Sequence, residues 1–319
     1  VPRRARRPAA PALPRLPARA RPRAHVHLRR AARPLRPRRR LRDPRAALGY
    51  DLDCSARPLG GLPALCTPAG TAGWQALPRG VDDAFFQRIL QPIYAAETPS
   101  RPFDLDAAVS SALEQGLYGL LVSVDRWNGA LDDDDVEVSV VTSPGLAGGV
   151  APAWKGADAW LAFPDVDADG TRPFHLERAR GYVSHGTLVA DARAQGAAAF
   201  RFGPPGLAFE LIVEDLSLTA DLSPGALARL TFTGTIDLPS ARAAAAALPG
   251  QIAGCADYPA TAFAGALAEH VETAADMPSD LGSSPADPCD AISFAWAFDA
   301  EPAALGGEAG PSDAGSACP

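Results

Sequence analysis

From residue 230 to 237 the chain alternates: Leu230, Phe232 and Ile236 fall on one side of an extended backbone, Thr231, Thr233, Thr235 and Asp237 on the other. Side chains of a strand point to opposite faces in turn, so this text specifies a half-buried strand and not a helix. The period recurs. Val136, Val138 and Val140 alternate with Glu137 and Ser139, and Asn128-Gly129 is a turn pair joining them to a strand over residues 117–127. Residues 182–192 read as a hairpin turning at His185-Gly186. Phe209, Leu211 and Val213 share one parity, while Leu216, Leu218, Ala220 and Leu222 share the other. That slip near Asp215 predicts a bulge or a tight turn. Residues 291–298 make a last strand.

Helical spacing is confined to four places. Residues 81–95 carry Phe85, Phe86, Ile89, Leu90, Ile93 and Tyr94 on a helical repeat, with Asp82 and Asp83 as caps and Pro92 as a kink or end. Residues 104–115 form a second helix, stopped by Gly116. Residues 240–248 and 259–275 are the others. Helices do not alternate with strands, so a parallel α/β sheet is excluded. The expected fold is mainly β, an antiparallel β-sandwich (jelly-roll or lectin-like) with a few short flanking helices.

Charge divides the chain. Residues 1–50 hold 17 arginines and one acid, a charge of +16, whereas residues 51–319 hold 13 basic groups and 36 acids, a charge of −23. Residues 1–47 are rich in Arg, Pro and Ala and have no hydrophobic period. They read as a basic arm for nucleic acid, as a targeting peptide, or as text from a misread frame or start. No aromatic residue is interleaved, the body would repel a polyanion, and no apolar core follows the arginines, so the misread start is the expectation and nucleic acid is not an expected partner. Residues 48–305 are expected to be one domain, and residues 306–319, rich in Gly, Ser, Ala and Asp, a disordered tail. No apolar run is long enough for a transmembrane segment.

Cys54, Cys66, Cys255, Cys289 and Cys318 contain no CxxC pair, and no histidine stands at zinc-finger spacing. A Cys54–Cys66 bridge would close a short loop, and a Cys255–Cys289 bridge would tie the last helix to the last strand; five reduced thiols are the alternative. The acidic, disulfide-compatible body points to export.

The sharpest chemical motif is Asp165-Val166-Asp167-Ala168-Asp169-Gly170. Alternate carboxylates converge on one hard cation, and glycine permits the turn that aims them inward. The twelfth position is Leu176, and Glu177 arrives one residue late. The expectation is therefore a calcium loop between strands (Asp165, Asp167, Asp169 and Glu177) and not an EF-hand, with a solvated acidic turn as the alternative. Asp132, Asp133, Asp134 and Asp135 form a weaker candidate, since four adjacent like charges need a cation or open water.

Catalytic signals are thin. Glu210 and Glu214 share a strand face but stand roughly 13 Å apart, beyond glycosidase pairs of roughly 5–9.5 Å, and a carboxylate on a neighbouring strand would have to complete a pair. His175, His185 and His270 belong to no nucleophile motif. Trp127, Trp154 and Trp160 either stack a sugar or fill the core.

Several segments, in order, are Gly49–Asp53 before a cysteine, Gly80–Phe85, Trp127-Asn128-Gly129 with Asp132–Val138, Pro152-Ala153-Trp154, Tyr182-Val183-Ser184 with Gly186–Ala190, and Cys289–Phe294. Over about residues 49–305 the chain resembles a group of exported, lipoprotein-like myxobacterial proteins with no established activity. The resemblance implies export and a single domain, and it carries over no catalytic residue. Members usually begin with a secretion or lipoprotein signal, which is absent here. The function expected is that of a non-catalytic exported or cell-surface protein, calcium-stabilised, binding an envelope or extracellular ligand such as carbohydrate. A polysaccharide-acting hydrolase is the alternative.

Overall fold

The computed structural model describes residues 35–37, 50, 52, 65–68, 82–90, 105–163, 175–196, 198–202, 209–223, 226–252, 260–279, 284 and 286–309. The alternating segments become β2 (Gly119–Asp125), β3 (Asp133–Ser143), β5 (His175–Ser184), β6 (Thr187–Asp191), β8 (Phe209–Ser223), β9 (Ala226–Asp237) and β10 (Ala291–Ala300). They join one antiparallel sheet in the order β10-β9-β8-β6-β5-β3-β2. β1 (Leu35–Pro37) extends this sheet beside the end of β10, and β7 (Ala198–Phe202) pairs with the first part of β8. The sheet curls, because β1 at one edge also lies beside β2 at the other. A separate parallel pair, β4 (Ala159–Ala162) and β11 (Ala304–Glu308), lies against the β2–β3 hairpin. The molecule is mainly β, an antiparallel curled sheet with a few short helices.

One apolar core fills the concave side. Val122 and Val124 of β2 stand opposite Val140 and Val138, Leu218 opposite Phe232, and Phe232 opposite Trp296. Phe232 and Phe298 meet edge to face at 5.8 Å, and Trp296 stacks on Phe298 at 6.0 Å. Each large side chain removed from water contributes about 1.5–3 kcal/mol. The helices add to the same core: a short π-helical turn Phe85–Leu90, α1 (Leu105–Glu114), α2 (Leu238–Ile252) and α3 (Ala260–Ala274) supply Ile89, Leu113, Ala241 and Leu267. α2 is capped by Asp237, whose carboxylate accepts from the Ser240 N–H at 2.8 Å.

The parity slip at Asp215 is a bulge. Asp215 has φ of +49°, and the β8–β9 register jumps between Glu214 and Ser217. The bulged backbone crowds β9 at Gly234, where a Cβ would stand 2.5 Å from Val213 Cγ1 and 2.6 Å from the Glu214 carbonyl oxygen. Only glycine fits there. At the predicted hairpin turn, His185 and Gly186 have φ of +51° and +80°, as a type I′ turn requires.

Several expectations are corrected. Leu35–Pro37 of the leader, expected to lack structure, is a strand whose register puts Arg36 opposite Asp299. Residues 306–309 of the expected tail are ordered, because β11 pairs with β4 and the Ala309 N–H donates to the Ala162 carbonyl, and residues 310–319 lie outside the described residues. Of the helix expected over 81–95, the turn Phe85–Leu90 is observed, and residues 91–95 lie outside the described residues. Neither expected cysteine pairing forms; Cys66 bonds Cys289 across 223 residues. The reason is main-chain pairing: the Thr67 N–H donates to the Asp287 carbonyl at 2.7 Å and the Cys289 N–H to the Thr67 carbonyl at 2.9 Å. Those bonds lay the Cys66 segment along the entry to β10. Cys54, Cys255 and Cys318 lie outside the described residues. Finally, Thr231, Thr233 and Thr235 are buried, so β9 is covered on both faces.

Candidate functional site

Asp165, Asp167 and Asp169 lie outside the described residues, and Glu177 is exposed on β5. In the Asp132–Asp135 run, Asp132, Asp133 and Asp135 have partners within the protein. Asp133 is buried, and its oxygens accept from the N–H groups of Asn128 at 2.8 Å and Asp135 at 3.2 Å. Asp132 accepts from the His185 N–H at 2.9 Å, which ties the β2–β3 loop to the β5–β6 turn. Asp135 pairs with Arg126 at 2.5 Å, and Arg126 and Arg178 grip Glu137 from two sides at 3.0 Å. Burial works against the Glu137 charge, but its bonds to the two arginines hold the carboxyl below its ordinary range. Among the described residues, no three His, Cys, Asp or Glu side chains form a group that could hold a metal ion.

The three tryptophans do not form a common stacking face. Trp127 belongs to the main core and donates its indole N–H to the Ala130 carbonyl at 2.8 Å. Trp160 is fully buried beneath the small sheet, and half-buried Trp154 packs on it at 5.7 Å. Both serve packing. His175 opens β5, His185 is the exposed turn residue and His270 lies half-buried on α3.

A polar layer that sequence reasoning did not assemble lies on the outer face of β8, β9 and β10. Register sets Glu214, Thr235 and Ser293 in one row and Ser217, Thr233 and Ala295 in the next. Tyr50 hydrogen-bonds Thr219 on this face. The first row ends at Asp276, in the turn after α3. Its carboxylate accepts from the Ser293 N–H at 2.8 Å and from the Ser293 hydroxyl at 2.6 Å. The Ser293 Oγ in turn accepts from the Ala84 N–H at 2.8 Å. Asp83, buried, accepts from the Ala295 N–H at 3.2 Å. Asp82 accepts from the Leu52 N–H at 2.7 Å. Asp82 and Asp83, expected as helix caps, thus bond segments distant in sequence, because the turn that follows them packs on β10.

β9 occupies the other edge of β10, so Asp276 and Asp83 stand where the carbonyls of a further strand would stand. Arg88 completes the group. It donates to the Thr273 and Ala275 carbonyls at 3.0 and 3.3 Å, at the negative end of α3. Burial pushes the Asp276 carboxyl up to about 6, against its bonds from Ser293 and the charge of Arg88, and Asp83 adds to the rise. Burial lowers the Arg88 guanidinium, and Asp276 partly restores it. At the opposite end of the row, burial raises Glu214, helped by Asp237 and Asp215. Glu214 and Asp237 are diagonal neighbours on adjacent strands, with Cα atoms roughly 7–8 Å apart.

Compared with protein-family models, curated proteins and solved structures, the chain matches none.

Proposed function

We propose that this chain is a non-catalytic exported or cell-surface protein whose loops bind an envelope or extracellular ligand, with carbohydrate the first class to test. The observation that carries the reading is the buried Cys66–Cys289 bridge. Such bonds persist in oxidising compartments and are rare in the cytosol. The polar layer agrees, since Asp83, Asp276 and Ser293 spend their hydrogen bonds on the main chain of the sheet edge. The finer view of the fold, a jelly-roll or lectin-like sandwich, belongs to this proposal: the curl of the sheet and the small sheet on its outer side favour it. Calcium in the Asp165–Asp167–Asp169 loop, with Glu177, is the remaining part.

Two measurements test it. Peptide mapping of protein recovered from envelope and culture fractions without reductant should give the Cys66 and Cys289 peptides joined; free thiols there would remove the argument for export. Calorimetry with millimolar calcium, then with chelator, should shift the melting temperature by several degrees, and D167N should abolish the shift; identical traces would rule the ion out.

A second reading, a polysaccharide-acting hydrolase, is favoured by the same-face carboxylates Glu214 and Asp237 on neighbouring strands, the raised member being suited to a general acid. Release of reducing ends from a polysaccharide panel, lost in E214Q, would put this reading first.

A further inference from the structure

We propose that the cover over the first half of β10 is a proton-operated latch, in which Asp276 and Asp83 clamp the Phe85–Leu90 turn and the end of α3 onto the strand edge, tightly when Asp276 is protonated and loosely when both carboxylates are charged. The geometry carries this. Among the described residues, β1 meets β10 at Phe298–Ala300. Nearer its start, the outward N–H groups of β10 go to the Met277 carbonyl, to Asp276 and to Asp83. Two of these three acceptors are side chains, and one of them is held in a desolvated position. Ser293 links both covering segments through a single oxygen, donating to Asp276 and accepting from Ala84.

Among the described residues, the groups facing Asp276 come from three sides. From the π-helical side come Arg88, whose charge lowers the Asp276 carboxyl, and Asp83, whose charge raises it. On the side of α3, Glu272 is turned away into an ion pair with Arg242 at 2.5 Å. From the β10 side, Asp290 is occupied by Ser279. Cys66 is in a disulfide and does not titrate. The sign follows from the raised carboxyl. An aspartate that binds its proton more tightly in the closed state than in the open one favours closure as pH falls from about 6 towards the ordinary aspartate range near 4. Above pH 6 the charge on half-buried Asp276 favours opening.

Hydrogen exchange of the full chain tests the latch. Corrected for intrinsic rates, protection at the Ser293 and Ala295 amides should fall roughly tenfold between pH 5 and pH 7.5. Protection at Val138, in the distant β3, should not follow. D276N keeps an acceptor for the Ser293 N–H but cannot ionise, so its Ser293 and Ala295 protection should be level across this range. Level protection in the wild type, the same fall at Val138, or an unchanged fall in D276N would overturn the proposal. If D276N does not fold, the carbon-13 carboxyl titration of wild-type Asp276 decides: a midpoint near 6, tracked by the Ser293 and Ala295 amide shifts, upholds the latch. A midpoint in the ordinary range near 4, or amide shifts that do not track it, removes it.

Discussion

β3 and β10 are strands of the same sheet with different outer faces. Along β3, Val136, Val138 and Val140 are buried while Glu137, Ser139 and Val141 between them reach solvent. Along β10, the eight residues from Ala291 to Phe298 are all buried. The inward side of both is apolar. The difference lies outside: β3 faces water with a Glu–Arg cluster, whereas β10 presents Ala291, Ser293, Ala295 and Ala297, small enough for another part of the chain to lie directly on it. Loss of alternation on β10 therefore reports a second covering layer, whereas alternation alone reports only that one face is polar, since β9 alternates and is covered on both faces.

The strongest challenge to this view is Phe294→Ala. It opens a cavity beside Phe85 and Trp296 on the inward side and should cost about 3–5 kcal/mol in urea unfolding. A loss under 1 kcal/mol would mean the two layers around β10 are not packed. Next is the bridge: Cys66→Ala with Cys289→Ala should cost about 2–4 kcal/mol and raise exchange at β10 before β3. Uniform loosening of both strands would blur the contrast. A smaller effect of opposite sign is expected at Thr233, buried, with a hydroxyl that has no hydrogen-bond partner among the described residues. Thr233→Val should gain about 1 kcal/mol, whereas Ser139→Val, on the wet face, should change stability by less than about 0.5 kcal/mol.

The smallest effect is electrostatic. Glu137→Gln should cost under about 1 kcal/mol. The Glu137 carboxyl is depressed in the folded state, so its contribution is full above the ordinary glutamate range near 4.3 and fades as pH falls through its folded value. Asp276 has the reverse sign: its ionisation costs stability as pH rises towards and past about 6. Stability curves of E137Q and D276N should therefore approach wild type at the acid end of the pH 3–8 range and depart from it towards the neutral end with opposite signs, E137Q below wild type and D276N above it.

Most strands were legible because apolar and polar side chains alternate along them, whether the polar side meets solvent as on β3 or a covering layer as on β9. The bulge at Asp215 was legible as a change of parity, and the His185-Gly186 turn from residues that tolerate positive φ. β4, β7 and β11 were not, since five residues or fewer with alanine and glycine leave no period to read. The cysteine pairing was not legible either, because nearness in sequence says nothing about which segments lie side by side. The Asp276 cluster left one trace: Ser293 is the lone hydroxyl in Ala-Ile-Ser-Phe-Ala-Trp-Ala-Phe, and a polar group in so apolar a strand needs a buried partner. Which residue supplies it depends on tertiary packing over 17 residues.

The strand order β2-β3-β5-β6-β8-β9-β10 follows the order of synthesis, so this part of the sheet can grow by adding one strand at a time to an edge already made. The β5–β6 turn closes over two residues, whereas residues 238–290 separate β9 from β10, so the last addition is the longest search. Cys289 enters at the last of these additions, so oxidation of its thiol with Cys66 marks a sheet whose assembly is already complete.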